Sequence, residues 1–174
     1  MGADPAMKSA ARFGLLLLTA AVLQRGLFSQ LRVADVSADL FLLVAVVAGM
    51  TGGPDRGAVI GFFSGLVLDL LVQTPLGLSA LVYCLVGFGA GRLQGSVLRT
   101  GRVLPAMLAA MASAGGVGLY AVVAEVVGQV SAVTARLPVV MIVVAGTNLL
   151  LYPLVRPVVA WAWDDQPGLR PATR

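Results

Sequence analysis

Gly57, Gly61, Gly65 and Asp69 recur every four residues within the run G-A-V-I-G-F-F-S-G-L-V-L-D. Wound as an α-helix, they form one slowly turning stripe, and the remaining faces carry Val, Ile, Phe and Leu. Glycine lets a neighbouring backbone come close, and the same seam receives the carboxylate of Asp69. Thr74-Pro75-Leu76-Gly77 then turns the chain back into a second apolar run, where Tyr83, Gly87, Gly91 and Gly95 repeat the interval. The pattern predicts a tightly packed helical hairpin whose outer faces suit lipid.

Composition supports that environment. Of 174 residues, 59% are hydrophobic and 11% charged, against roughly 25% charged in an average soluble domain. The 21 glycines fit close helix packing better than flexible linkers. There is no histidine, and Cys84 is the single cysteine. Imidazole metal sites, Ser-His or Cys-His nucleophile pairs and an intrachain disulfide are therefore excluded. Ser64, Ser79 and Ser113 have no base nearby in sequence, and no glycine-rich phosphate loop or zincin motif occurs. The reading is of a protein without catalytic activity, metal or cofactor. A net charge of +4 belongs to topology, because the basic residues sit at the ends of apolar segments.

Six spans are predicted, over 13–31, 38–53, 57–74, 77–93, 103–128 and 137–161, giving an all-α polytopic bundle. The second is short, and its boundary rests on the turn-and-cap sequence Gly52-Gly53-Pro54-Asp55-Arg56. Gly115-Gly116-Val117-Gly118 is a candidate kink in the fifth. With six spans, Lys8, Arg12, Arg56, Arg92, Arg99, Arg102, Arg156, Arg170 and Arg174 share the side of the termini. Only Arg25, Arg32 and Arg136 lie opposite, so both ends are placed in the cytoplasm. The layout is a cytoplasmic 1–12, a single membrane domain over 13–161 and a cytoplasmic tail over 162–174. Met1 to Ala6 differ in character from the rest of the chain and are read as an added extension, with Met7-Lys8-Ser9 as the natural start. The first apolar run is read as a retained span, not a cleaved signal. Trp161 and Trp163 are expected to anchor the last span at the interface.

Polar residues inside the spans are the candidate functional groups. Arg25 and Asp69 each lie twelve residues into outward-running spans, about 18 Å from the inner surface. They are read as an ion pair. Asp39 opens the second span, where Ser37 and Asp39 also suit helix capping, and Glu125 lies near the outer end of the fifth. The alternative is an outward-facing polar pocket or partner-docking site, in which one cation against three acids leaves room for a cationic ligand or a partner's arginine; Gln24 can hydrogen-bond across helices. Asn148 sits mid-span and is expected to bond a neighbouring backbone, with the carbonyl near Leu149 freed by Pro153 as a candidate acceptor. Gly57, Gly61, Gly65, Gly87 and Gly91 are assigned to helix packing or partner docking.

The ordered elements resemble the rod shape-determining protein MreD family. They are Leu23-Gln24, Ala38-Asp39-Leu40 where the family favours Pro-Asp-Leu, Gly61-x-x-x-Gly65-Leu66-x-x-Asp69-Leu70, and Pro75-Leu76-Gly77-Leu78-Ser79-Ala80-Leu81. Gly87, Gly91, Asn148 and Pro153 complete the set. The resemblance implies a multi-pass protein of the bacterial inner membrane that supports cell shape and peptidoglycan synthesis within the elongation machinery. It implies MreC, a bitopic protein, as first partner, with a RodA-type glycosyltransferase, a class B transpeptidase and, indirectly, the MreB filament. It also implies a fold similar to the S components of energy-coupling-factor transporters.

Two functions are compatible with these features: a scaffold that docks partner helices, or a solute-binding subunit of a vitamin-type transporter. Ala10-Ala11 and Ala20-Ala21 only weakly echo the small-residue docking motif of S components. That weak echo, and the short outer loops, favour the scaffold.

Overall fold

The computed structural model describes residues 5–26, 39–72, 76–93, 101, 103–128 and 136–163. The regular structure among them is helical. In chain order the helices are α1 (Pro5–Gly26), α2 (Leu40–Gly52), α3 (Pro54–Val72), α4 (Leu78–Arg92), α5 (Val103–Val126) and α6 (Leu137–Trp163).

The short second segment is a helix, and it is the centre of the fold. Eleven of the thirteen residues of α2 are buried, and all five other helices pack against it. Thirteen residues rise about 20 Å, less than the roughly 30 Å hydrocarbon core. A helix sheathed by protein need not match that thickness, since its ends meet other helices instead of lipid. Phe41, Leu43, Val46 and Val47 are fully covered. Apolar residues all round α2 are what such a position requires.

Gly53 alone separates α2 from α3. Its φ of 93° lies in the left-handed region, where a side chain would strain. Its N–H donates to the Gly49 carbonyl at 2.9 Å, and its own carbonyl receives the Gly57 N–H at 2.9 Å. Pro54 occupies the first helical position, where its missing N–H costs nothing. For that reason α3 begins three residues before the predicted start at 57.

α3 and α4 make the most extensive helix pair, and α5 and α6 form a second hairpin. α5 continues unbroken through Gly115-Gly116-Val117-Gly118, the candidate kink, where Gly116 stands against the Leu42 side chain. α6 keeps its helical course past Pro153 and Pro157.

α1 starts at Pro5, eight residues before the predicted span, and so carries Lys8 and Arg12 on its first turns. The predicted end at 31 lies outside the described residues. Phe13 packs on Trp163, with ring centroids 4.4 Å apart. This corrects the reading of Trp163 as an interfacial anchor. The indole is buried, abuts Gly52 and lies under the Arg56 guanidinium at 5.0 Å. Trp161 remains half-exposed.

The outside of the bundle is apolar. Phe62, Phe63 and Leu70 on α3, Met111 on α5 and Ile142 and Leu150 on α6 are all exposed. Scattered apolar surface is ordinary, but so much contiguous surface is not stable in water. α5 and α6 are each long and apolar enough to cross a membrane.

Candidate functional site

The helices alternate in direction, so the C-terminal ends of α1, α3 and α5 gather with the N-terminal ends of α2, α4 and α6. That end holds most of the polar residues singled out in the sequence. The opposite end is marked by cations on aromatic faces: Arg12 over Trp161 at 4.8 Å, Arg56 over Trp163 and Arg92 over Phe88 at 5.7 Å.

The seam below the polar end is made by backbone meeting backbone. A Cβ on Gly57 would fall under 3.0 Å from the Gly87 carbonyl of α4 and from the Gly49 Cα of α2. One on Gly61 would meet the Tyr83 carbonyl, one on Gly65 the Ser79 carbonyl, and one on Gly91 the Pro54 backbone. Gly49, Gly57 and Gly87 form a three-helix node. Gly49 had no part in the four-residue stripe and went unnoticed in the sequence, because a node between three helices has no repeat along any one of them.

Asp69 stands in the last turns of α3 and is fully buried. Its Oδ2 accepts the Gly77 N–H at 2.8 Å and the Ala80 N–H at 3.5 Å, and its Oδ1 accepts the Ser79 N–H at 3.2 Å. These are the donors that the first turn of a helix leaves unsatisfied. Gly77, the N-cap of α4, has no side chain to answer them, and its φ of 100° admits glycine readily. Asp69 therefore caps α4 from the preceding helix. The negative charge also complements the positive end of the α4 dipole.

The other polar groups cap helices too. Asp39 is the N-cap of α2, accepting the Leu42 N–H at 3.0 Å. It also accepts the Tyr83 hydroxyl from α4. The Gln24 Oε1 accepts the Leu40 N–H at 3.4 Å. The Arg25 guanidinium donates to the Leu71 carbonyl at 2.6 Å, at the C-terminal end of α3 where cations are favoured. Arg25 and Asp69 thus act at the same end of α3, the guanidinium on a carbonyl of its last turn and the carboxylate on three amides at the start of α4. Glu125 is exposed in the last turn of α5.

Between α2, α3, α4 and α5 lies a cavity of about 210 Å³. Its polar lining is Asp39, Ser79, Tyr83 and Tyr120, and Leu42, Leu68 and Val117 supply apolar wall. Arg25 does not line it. The polar cluster at this end thus includes Tyr120, which the sequence reading missed. The signal was available: counted from the C-terminal end of its helix, Tyr120 falls level with the first turns of α4.

Asn148 departs from expectation. It is fully buried on α6, and neither its amide nitrogen nor its oxygen has a hydrogen-bond partner. The carbonyl freed by Pro153 lies ahead of it, whereas side chains on a helix lean back toward the N-terminus. Asn148→Leu, similar in volume, should therefore stabilise the purified protein by about 1 kcal/mol. Thermal unfolding in detergent checks this, with a rise in midpoint expected.

Fold and site together define an all-helical membrane protein. Its polar groups are spent largely on helix ends, with one small polar cavity among them. Residues 9–159 match the family described as rod shape-determining protein MreD. The chain belongs to that family, and a role in determining rod shape comes with the membership. No curated protein and no solved structure matches it.

Proposed function

We propose that the chain is a non-catalytic scaffold of the bacterial cell-elongation complex. On this reading it crosses the inner membrane six times, with 13–161 as the membrane domain and both ends, 1–12 and 162–174, in the cytoplasm. Family membership over residues 9–159 carries the reading. The excess of basic residues on the side of the termini supports the orientation.

A protein of this kind contributes rigidity and surface. The Gly49–Gly57–Gly87 node locks α2, α3 and α4 into one block, and the apolar flanks of α1, α5 and α6 are left for other helices. The first partner is an MreC-like bitopic protein, through which a RodA-type glycosyltransferase, a class B transpeptidase and the MreB filament are engaged. Pulldown of the tagged chain in mild detergent should recover the bitopic protein at stoichiometric amounts. Its absence in membranes that contain it would sink the scaffold reading.

The cavity beside Asp39, Ser79, Tyr83 and Tyr120 favours a second reading. In it the chain is a solute-binding subunit, similar in fold to S components of energy-coupling-factor transporters. A vitamin-like molecule released on denaturing the purified protein, or a copurifying ATPase pair, would establish it over the first.

A further inference from the structure

α1 touches the rest of the bundle lightly, and between it and α6 runs a groove of about 530 Å³. One wall is the α1 stripe Leu15, Thr19 and Leu23, and the other is Leu151, Leu154 and Val158 of α6. Leu40 and Val44 of α2 form the floor. The groove ends at Trp161, where the Arg12 guanidinium lies over the ring at 4.8 Å and donates to the Trp161 carbonyl at 3.1 Å. One turn before Arg12, on the same face of α1, is Lys8, which is exposed.

We propose that this groove holds one acyl chain of an anionic phospholipid, taken from the leaflet on the side of the chain's N-terminus. Three observations converge on that occupant. The α6 wall from Leu151 to Trp161 rises about 15 Å, which is half of a roughly 30 Å hydrocarbon core. The groove is lined almost wholly by apolar side chains and lies open along one side, as an acyl chain entering from the bilayer requires. Lys8 and Arg12 stand at one end of it, cations of the kind that attract a phosphate headgroup.

The proposal rests on the membrane embedding of the bundle, not on the scaffold role. It is tested by native mass spectrometry of the full chain in mild detergent. Palmitoyl-oleoyl phosphatidylglycerol is titrated against phosphatidylcholine with the same chains. One phosphatidylglycerol per protein should be retained, favoured by about fivefold for each basic side chain engaged. The double variant Lys8→Gln/Arg12→Gln should lose that preference, and Thr19→Trp, which fills the groove from an exposed position, should lose the retained lipid. Leu154→Trp, from the facing wall, gives the same readout should Thr19→Trp not fold.

Equal retention of the two lipids, or full retention in a filled groove, overturns the proposal. A photoreactive benzophenone side chain at position 19 separates the remaining alternative in cells. A lipid adduct supports the assignment, and an adduct to a partner protein's helix overturns it. Retained phosphatidylglycerol without a bitopic partner in the pulldown would sink the scaffold reading and leave this one standing.

Discussion

Gly57→Ala should destabilise the protein by about 2–4 kcal/mol, although alanine is the better helix former by about 1 kcal/mol. The added methyl would stand against the Gly87 carbonyl and the Gly49 Cα, both main-chain atoms that no rotamer change can move. α3 must then retreat from α2 and α4 together, opening gaps along a seam that also includes Gly61 and Gly65. Gly89→Ala is the matched control. It lies in α4 two residues from Gly87, yet a Cβ there meets nothing within 4 Å. That substitution should be neutral or stabilising by about 1 kcal/mol, through helix propensity alone. Thermal unfolding of the two purified variants in the same detergent checks the pair. Equal behaviour would show that the close approach of the three helices is not what holds them.

The glycine stripe was legible because it repeats along one helix, and the turn after Asp69 because Pro75 and Gly77 punctuate it. Helix ends at Pro54 and Leu137 could be read to within a few residues for the same reason. What lay beyond reach was relational. That α2 is the hub depends on its five neighbours, and its uniform apolarity reads equally well as a short membrane span. Trp163 lies two positions from Trp161 and carries the same chemistry, but successive helix positions diverge by about 100° per residue, so one ring is buried while the other is half-exposed. Tyr120 joins Asp39 and Ser79 only because three helices bring them together. Asp69 is the instructive case: an acid deep in an apolar run suggested a charged partner, and its bonds to the amides of Gly77, Ser79 and Ala80 were not foreseen. The clue was Gly77, a cap position with no side chain to perform the capping.

Asp69→Ala should therefore be the second severe substitution, costing about 3 kcal/mol or more. Removing the carboxylate takes the acceptor from the N–H groups of Gly77, Ser79 and Ala80, the last two of them buried. Asp69→Asn should fall between. Its carbonyl oxygen still accepts, but its NH₂ faces donors, and the charge that complements the α4 dipole is gone. Arg25→Gln decides between capping and ion pairing. If Arg25 chiefly neutralised Asp69, its loss would leave the buried Asp69 carboxylate without its counter-charge and cost about as much as Asp69→Asn. If Asp69 chiefly caps α4, Arg25→Gln forfeits mainly the bond to the Leu71 carbonyl, about 1 kcal/mol, and leaves the hairpin intact. Unfolding midpoints of the three variants, with hydrogen exchange at the first turn of α4, read this directly. The expected order of damage is Asp69→Ala, then Asp69→Asn, then Arg25→Gln. Fast exchange at Ser79 and Ala80 should appear only in the two Asp69 variants. The same loss of protection in Arg25→Gln would return Asp69 to the role of a buried charge held by its counter-ion.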